Sequence, residues 1–288
     1  MTILEETFDL LKTLYKNIGV EPAQLVRVGL KSGWTTIVGT GQLCGTAFRF
    51  SGSHNVYQLT EPDVNAFETF VGQSLMDIIA RYINSDFIQK RSIAVAAMSA
   101  LSQPFLTGES LALRGFRVED DRDYMYGVLK PEDVVTLIGY SGMTQNILGR
   151  CKELHIADMR PVQSLPTMLM REEVKDNHEP VFIHGADEDE ILLNRSDVVV
   201  ITASTLVNGT FDDLMRYAAP ARVKCLYGAS ASIIPDVLIK HGVSFIMSHH
   251  VRNPDKFIES MDSDANMEQS IRNYQSYQVM SAAKGDPT

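Results

Sequence analysis

Little in this 288-residue chain is arranged for binding polyanions, for crossing a membrane or for covalent cross-linking. Lys and Arg number 26 against 36 Asp and Glu, a formal net charge of -10, and no basic cluster interrupts the acidic balance. Recognition of a phosphate backbone draws on clustered cations, so nucleic acid is not an expected partner. No run reaches the roughly 18 uninterrupted apolar residues of a spanning helix, so no membrane partner is expected either. The first residues include Glu5 and Glu6, where a secretory leader would carry basic residues followed by an apolar core. Only three cysteines occur, Cys44, Cys151 and Cys225. Odd in number and widely spaced, they make neither a disulfide framework nor a CxxC metal clip, and a reducing cytoplasm is the expected setting. HExxH, GxSxG and Walker motifs are also missing, which leaves hydrolase and nucleoside-triphosphatase readings without motif support.

What the chain does contain is an ordinary globular composition, 44% hydrophobic and 22% charged, in a length that favours two domains. Its most informative stretch is 196–210. Val198, Val199, Val200 and Ile201 form a short β-branched run, the signature of a strand buried on both faces. Thr202, Ser204, Thr205, Asn208 and Thr210 follow at once, with Gly209 among them, and read as a polar loop at the strand's carboxyl end. Thr210 stands as the N-cap of a helix whose first turn carries Asp212 and Asp213. In parallel α/β sheets such strand ends border the ligand crevice.

Read in order, the chain begins with an amphipathic helix over residues 3–17. Three extended segments, 24–30, 34–38 and 43–50, are separated by Gly33 and by Gly39 and Gly41, and suggest an antiparallel meander. Helical patterns at 64–83 and 88–101 complete an α+β unit over 1–105, the second helix rich in small residues that permit close packing. Residues 106–131 have few periodic features and read as a connection; the acidic knot 119–123 within it reads as solvated surface. From 132 to 288, strands at 134–138, 154–157, 181–183, 198–201, 223–227 and 243–247 alternate with helices. Right-handed crossovers would wind them into a Rossmann-like, doubly wound parallel sheet, so the expected fold class is α/β. A polar, helical tail to about 280 and a loose end at 282–288 close the chain.

Three strand ends carry small, hydroxylated or glycine-rich sequence. Gly139, Tyr140, Ser141 and Gly142 stand where a dinucleotide fold has its phosphate loop, but the spacing is not GxGxxG. Asp158, at the end of the next strand, occupies the place of a ribose-binding acid or else pairs with adjacent Arg160. Gly228 and Ser230 follow the strand at 223–227. Together with Thr202, Ser204, Thr205 and Asn208 these residues suit a pocket that holds a polar ligand through neutral donors. His249 and His250 are adjacent, and imidazole is a common metal ligand, although neighbours on an extended chain face opposite ways. His155 and His184 read as structural.

The segment 198–210, Gly228 through Pro235 and the strand-turn at 136–140 together resemble a prokaryotic family described as "putative heavy-metal chelation". The resemblance implies an enolase amino-terminal-like domain, then a Rossmann-like domain, with a site between them. It also implies that Gly33 through Thr36 and Gly45 through Ala47 face that cleft, so that Lys31, Trp34 and Thr35 would close its first-domain side. Where the family pattern has Asn on the last helix of that domain, this chain has Ser99. The expected function is the binding, with or without modification, of a small anionic or metal-chelating metabolite. A second reading is an enzyme using S-adenosylmethionine or a dinucleotide, with Asp158 on the ribose. A third is a non-catalytic protein holding a divalent metal at His249 or His250. Assembly with like chains is left open.

Overall fold

The computed structural model describes residues 1–31, 33–52, 55–60, 67, 69–120, 123–165, 181–262 and 273–283. Helix α1 (Ile3–Ile18) opens the chain behind a reciprocal cap: Thr2 Oγ1 accepts from Glu5 N while the Glu5 carboxylate accepts from Thr2 N. Two otherwise open amides are satisfied, and Gly19 ends the helix at φ 65°. The meander follows as β1 (Leu25–Lys31), β2 (Trp34–Gly39) and β3 (Leu43–Phe48), each antiparallel to the next.

The long helix expected at 64–83 is shorter than its pattern. Residues 64–66 and 68 lie outside the described residues; beyond them the chain turns through Gly72 at φ 86°, and α2 (Leu75–Tyr82) begins only after Ser74 caps Met76 N. A positive φ breaks a right-handed helix, so propensity to its left could not extend it. Helix α3 (Ile88–Ser102) is buried at every position from Ser92 to Ser102. It packs against β2 and β3 on one side and against the larger sheet's loops on the other. Its alanines and serines make this possible, because a helix buried all round needs small residues wherever backbone meets backbone. The tightest approach is at Gly45 in β3, where a Cβ would stand 2.1 Å from Ala96 O and 2.3 Å from Ala100 N.

The stretch 106–131 is not a featureless connection. It carries α4 (Gly108–Leu113) and β4 (Phe116–Glu119), and β4 joins the large sheet. Of the acidic knot, residues 121 and 122 lie outside the described residues. The elements that follow are β5 (Val134–Ile138), α5 (Met143–Ile147), β6 (Glu153–Asp158), β7 (Val181–Gly185) and α6 (Asp189–Asn194). Then come β8 (Val198–Thr202), α7 (Ser204–Asn208), α8 (Phe211–Tyr217), β9 (Val223–Tyr227), α9 (Asp236–Lys240), β10 (Phe245–Val251), α10 (Pro254–Asp262) and β11 (Gln275–Ala282).

The large sheet has the order β4-β11-β10-β9-β8-β5-β6-β7, with β10 through β7 parallel to one another. Counted from β5, that parallel part runs 3-2-1-4-5-6, the order of the dinucleotide-binding fold, and it reverses between β5 and β8. Alternation explains the buried runs: Val198 and Val200 enter one core with Leu137 and Cys225, while Val199 and Ile201 enter the other with Leu226. The second of these cores continues into the meander through Ile37 and Ala47.

The helical tail expected up to 280 holds only as far as α10. Residues 263–272 and 284–288 lie outside the described residues, and β11 is a strand inserted antiparallel between β10 and β4. The open edge of β10 offers a row of donors and acceptors, and pairing there buries Val279 and Met280 to 1% and 0% exposure. The chain is thus an α/β protein: a Rossmann-like, doubly wound and mainly parallel sheet preceded by a smaller α+β unit. Among the described residues no helix is long and apolar enough to cross a membrane.

Candidate functional site

The switch between β5 and β8 opens into a cavity of about 730 Å³. On the sheet side it is lined by Gly139, Tyr140, Ser141, Gly142, Asp158, Thr202, Ser204, Thr205, Asn208 and Gly228, and on the meander side by Gly33, Trp34, Phe48, Phe50 and Val56. The loops after β5, β6, β8 and β9 therefore meet where sequence reasoning placed them. Trp34 joins them from the opposite unit.

Backbone geometry sets the sheet-side wall. Gly139 has φ 85°, and a Cβ there would lie 2.8 Å from Thr202 Cγ2, so only glycine lets the ends of β5 and β8 approach this closely. Tyr227 Oη donates to Gly139 O at 2.8 Å and Ala203 N donates to Tyr227 O at 2.7 Å, tying three strand ends together. Burial pushes the Tyr227 hydroxyl up to about 12, so it serves as a neutral donor at physiological pH.

The hydroxyl cluster is not the open loop that its composition suggested. Ser204–Asn208 is one turn of helix, and its polar groups are largely engaged with one another. Thr205 Oγ1 donates to Thr202 O at 2.6 Å, and Ser204 Oγ to Thr202 Oγ1 at 3.2 Å. Asn208 Oδ1 accepts from Thr210 N and Oγ1, and its Nδ2 donates to Tyr57 Oη at 3.0 Å. Thr210 makes no side-chain cap on α8, because its hydroxyl is turned to Asn208 instead. These side chains shape the cavity wall. A residue that sequence reasoning passed over holds them: Arg91 of α3 donates to Val207 O at 2.8 Å and to Asn208 O at 2.7 Å, capping α7 from the other unit.

Asp158 lines the cavity but is fully engaged. Tyr140 N, Arg160 N, Arg160 Nε and Arg160 Nη2 donate to it at 2.8, 2.8, 2.9 and 2.6 Å. An ionised carboxylate has about four acceptor positions, and four donors occupy them. Burial pushes this carboxyl up, but the hydrogen bonds and charge of Arg160, with the Tyr140 amide, outweigh it and hold Asp158 below the usual carboxylate range. A ribose diol would have to displace Arg160 or the Tyr140 amide, so the nucleotide-cofactor reading loses its anchoring acid.

Other expected residues lie elsewhere. Ser230 is 2% exposed and absent from the lining; its Oγ accepts from Phe48 N at 2.8 Å and so holds the end of β3. Thr35 is fully buried, with Oγ1 2.7 Å from Ser92 Oγ on α3, because strand alternation points it away from Trp34. Lys31 borders a separate hollow of about 210 Å³ with Arg27, Thr36 and Met261. Ser99 is 1% exposed within α3 and does not line the cavity. His249 and His250 both lie on β10; His249 is not among the lining residues, and its backbone pairs with Ser232 Oγ. His155 Nδ1 lies 3.0 Å from His184 Nε2 on β6 and β7, also outside the lining.

Two features were legible only in three dimensions. Trp34, Phe48, Phe50 and Tyr57 form an edge-to-face ladder with successive centroids 5.8, 5.0 and 5.1 Å apart, and the first three rings line the cavity. The alternate spacing of Phe48, at the end of β3, and Phe50 just beyond it was the available signal for a shared face. The second feature is Asp189, which lines the cavity at the start of α6. Burial and neighbouring Asp187 push its carboxyl up to about 7, and its Oδ1 is buried without a hydrogen-bond partner among the described residues.

Metal donors do not converge. Among the described residues no group of three or more His, Cys, Asp or Glu could hold an ion. Among the described residues the cavity lining contains neither Cys nor His, and the three cysteines are buried in separate places. Burial pushes the Cys44 thiol up to about 12, away from the thiolate that binds soft metals. These residues do not fit a metal centre built by the protein itself.

Fold and cavity define a Rossmann-like α/β protein with a hollow between its strand switch point and a meander unit. The chain belongs to the DUF364 family, described as "Putative heavy-metal chelation", which it matches over residues 125–280. A curated relative is an uncharacterised protein of Methanocaldococcus jannaschii, 25% identical over 186 residues, a match covering 65% of this chain and 64% of that protein's length. Crystal structures of two DUF364 proteins of unknown function share the fold. That from Desulfitobacterium hafniense DCB-2 has a TM-score of 0.68 at 16% identity, covering 96% of this chain and 98% of its own. That from Pyrococcus horikoshii has a TM-score of 0.66 at 19% identity, covering 96% and 99%.

Proposed function

We propose that the cavity binds a small metal-chelating metabolite, the protein supplying the enclosure and the ligand supplying the metal donors. The observation that carries this reading is the balance of charge in the lining. Its one cation, among the described residues, is Arg160, and Arg160 is engaged by Asp158, while Asp189 adds an acid. A free polyanion would meet no uncompensated positive charge there, and burying an unpaired charge is costly. A chelate is different, because the metal cancels the charge of the groups that hold it. Its organic periphery suits Trp34, Phe48 and Phe50, and its remaining polar atoms suit the hydroxyls and backbone groups of the opposite wall. Of the anionic and metal-chelating branches expected from sequence, the second is favoured.

Gly142 provides the test. Its φ of -58° suits any residue and a Cβ there would meet nothing within 4 Å, so a larger side chain fits the backbone at a position of the cavity lining. Picolinate, citrate and their Ni(II) complexes are titrated by calorimetry, with the emission of the single tryptophan, Trp34, as an independent readout. The expected outcome is binding of the complexes in preference to the free anions, lost in Gly142→Phe. Binding unchanged by Gly142→Phe would place the site elsewhere and end this reading.

A further inference from the structure

Among the described residues no three metal donors meet, but two do, outside the cavity. His155 on β6 and His184 on β7 project from one face of the sheet, and His155 Nδ1 lies 3.0 Å from His184 Nε2. The other nitrogen of each ring faces a carboxylate: His155 Nε2 lies 3.4 Å from Glu153 Oε2, and His184 Nδ1 lies 3.0 Å from Glu188 Oε2. An ionised carboxylate only accepts, and a neutral imidazole has one N–H, so each ring is drawn to place its proton on the carboxylate side. The two inner nitrogens then face one another bare, and at that distance they repel unless they share a cation. Metal-binding imidazoles have this same backing, the nitrogen away from the ion donating to a carboxylate that fixes ring and tautomer. Phe182, stacked on His155 with ring centroids 4.8 Å apart at 15°, holds that ring in place. The cation now beside it is Arg195, an exposed residue whose Nη2 stands 3.2 and 3.1 Å from Nδ1 and Nε2 of His155. Burial, and then the charge of Arg195, hold His155 below the ordinary imidazole range, so the ring is neutral at physiological pH, as a metal ligand must be.

We propose that His155 Nδ1 and His184 Nε2 bind one divalent transition-metal ion, with Glu153 and Glu188 orienting the rings from behind and Arg195 withdrawing into solvent as the ion enters. Nitrogens 3.0 Å apart subtend about 90–95° at an ion about 2.0–2.1 Å from each, the cis angle of square-planar or octahedral coordination rather than the tetrahedral angle of zinc. The pair therefore suits Cu(II) and Ni(II), with water in the remaining positions. The two carboxylates balance the charge of the ion once the guanidinium has moved aside. His184 and Glu188, with side chains 17% and 49% exposed, open the pair to solvent. The site is separate from the cavity and does not depend on what the cavity binds.

Cu(II), Ni(II) and Zn(II) are titrated as simple salts by calorimetry, and the electron paramagnetic resonance spectrum of the protein with one equivalent of Cu(II) is recorded. The tightest site is expected to show nitrogen splitting from two imidazoles and to bind Ni(II) at least as tightly as Zn(II). His184→Ala is expected to weaken Ni(II) binding by about tenfold or more and Glu188→Gln by about tenfold, while Arg195→Ala tightens it. Gly142→Phe, which acts in the cavity, is expected to leave binding of all three ions unchanged. The wild-type spectrum tests the proposal even if a variant folds poorly. A spectrum without two nitrogen ligands, tighter binding of Zn(II) than of Ni(II), or Ni(II) affinity unchanged in folded His184→Ala would each overturn it. Loss of metal binding in Gly142→Phe would overturn it as well, by placing the ions in the cavity.

Discussion

The cavity wall supplied by β2 and β3 is made of side chains, aromatic rings stacked edge to face, whereas the wall supplied by β5 and β8 is made of backbone and small residues tied to one another. The first offers contact area and depends on what lies behind it: α3 presses on β3 so closely that Gly45 has no room for a Cβ. The second offers room and depends on polar ties, from Tyr227 to Gly139, from Arg91 to α7 and from Arg160 to Asp158. An aromatic wall is thus placed by packing, and a polar wall by satisfied hydrogen bonds. The hydroxyl cluster illustrates the second case, since its members mostly bond to one another.

The contrast can be broken first at its most crowded point. Gly45→Val puts atoms onto the α3 backbone and is expected to destabilise the protein by more than about 3 kcal/mol, read as a lowered urea midpoint or as loss of soluble protein. On the polar side, Arg160→Ala leaves the Asp158 carboxylate, 7% exposed in its side chain, without its ion-pair partner. A loss of roughly 3 kcal/mol at neutral pH is expected, and it shrinks toward acid pH as the stranded carboxylate takes up a proton. An equal deficit at all pH values would count against the charge as the cause.

The smallest expected effect concerns Asp189 and has the opposite sign. The folded protein keeps the Asp189 proton up to about 7, whereas an exposed carboxyl releases it near the ordinary 3.8. The unfolded state therefore gains on the folded one as pH rises from about 4 to 7, and the native carboxyl is a burden above that window. Asp189→Asn removes the burden. With part of the group still facing solvent, a gain of about 1 kcal/mol, or roughly 2–4 °C in Tm at pH 8, is expected, and none at pH 4. A gain equal at both pH values would exclude ionisation as its source.

The strands at 134–138, 198–202 and 223–227 were legible because buried β-branched runs have few other solutions, and the meander because its glycines punctuate it. Gly139 and Gly228 were read as the residues that follow two of these strands, and the structure gives both a positive φ, 85° and 114°. β4 and β11 were not legible. Their residues are mixed in polarity, and the partner that makes each a strand is more than a hundred residues away in sequence for one and supplied by a sheet edge for the other. Asp158 was visible, and the alternative that it pairs with Arg160 is the one the structure takes. Thr35 and Lys31 were assigned to the cavity by the family resemblance and Ser230 by its place in the loop after β9, but strand alternation and the route of the following turn carry them out of it.

By itself the sequence determined which segments are buried, which turns require glycine and which loops bring polar groups to the strand ends, because periodicity and backbone torsion are local properties. Tertiary structure alone decided the neighbour of each strand, the mutual satisfaction of the hydroxyls, the aromatic ladder across β2, β3 and Tyr57, and the loss of water from Asp189. Desolvation and hydrogen-bond satisfaction belong to groups brought together from distant parts of the chain, so they exist only once it has folded.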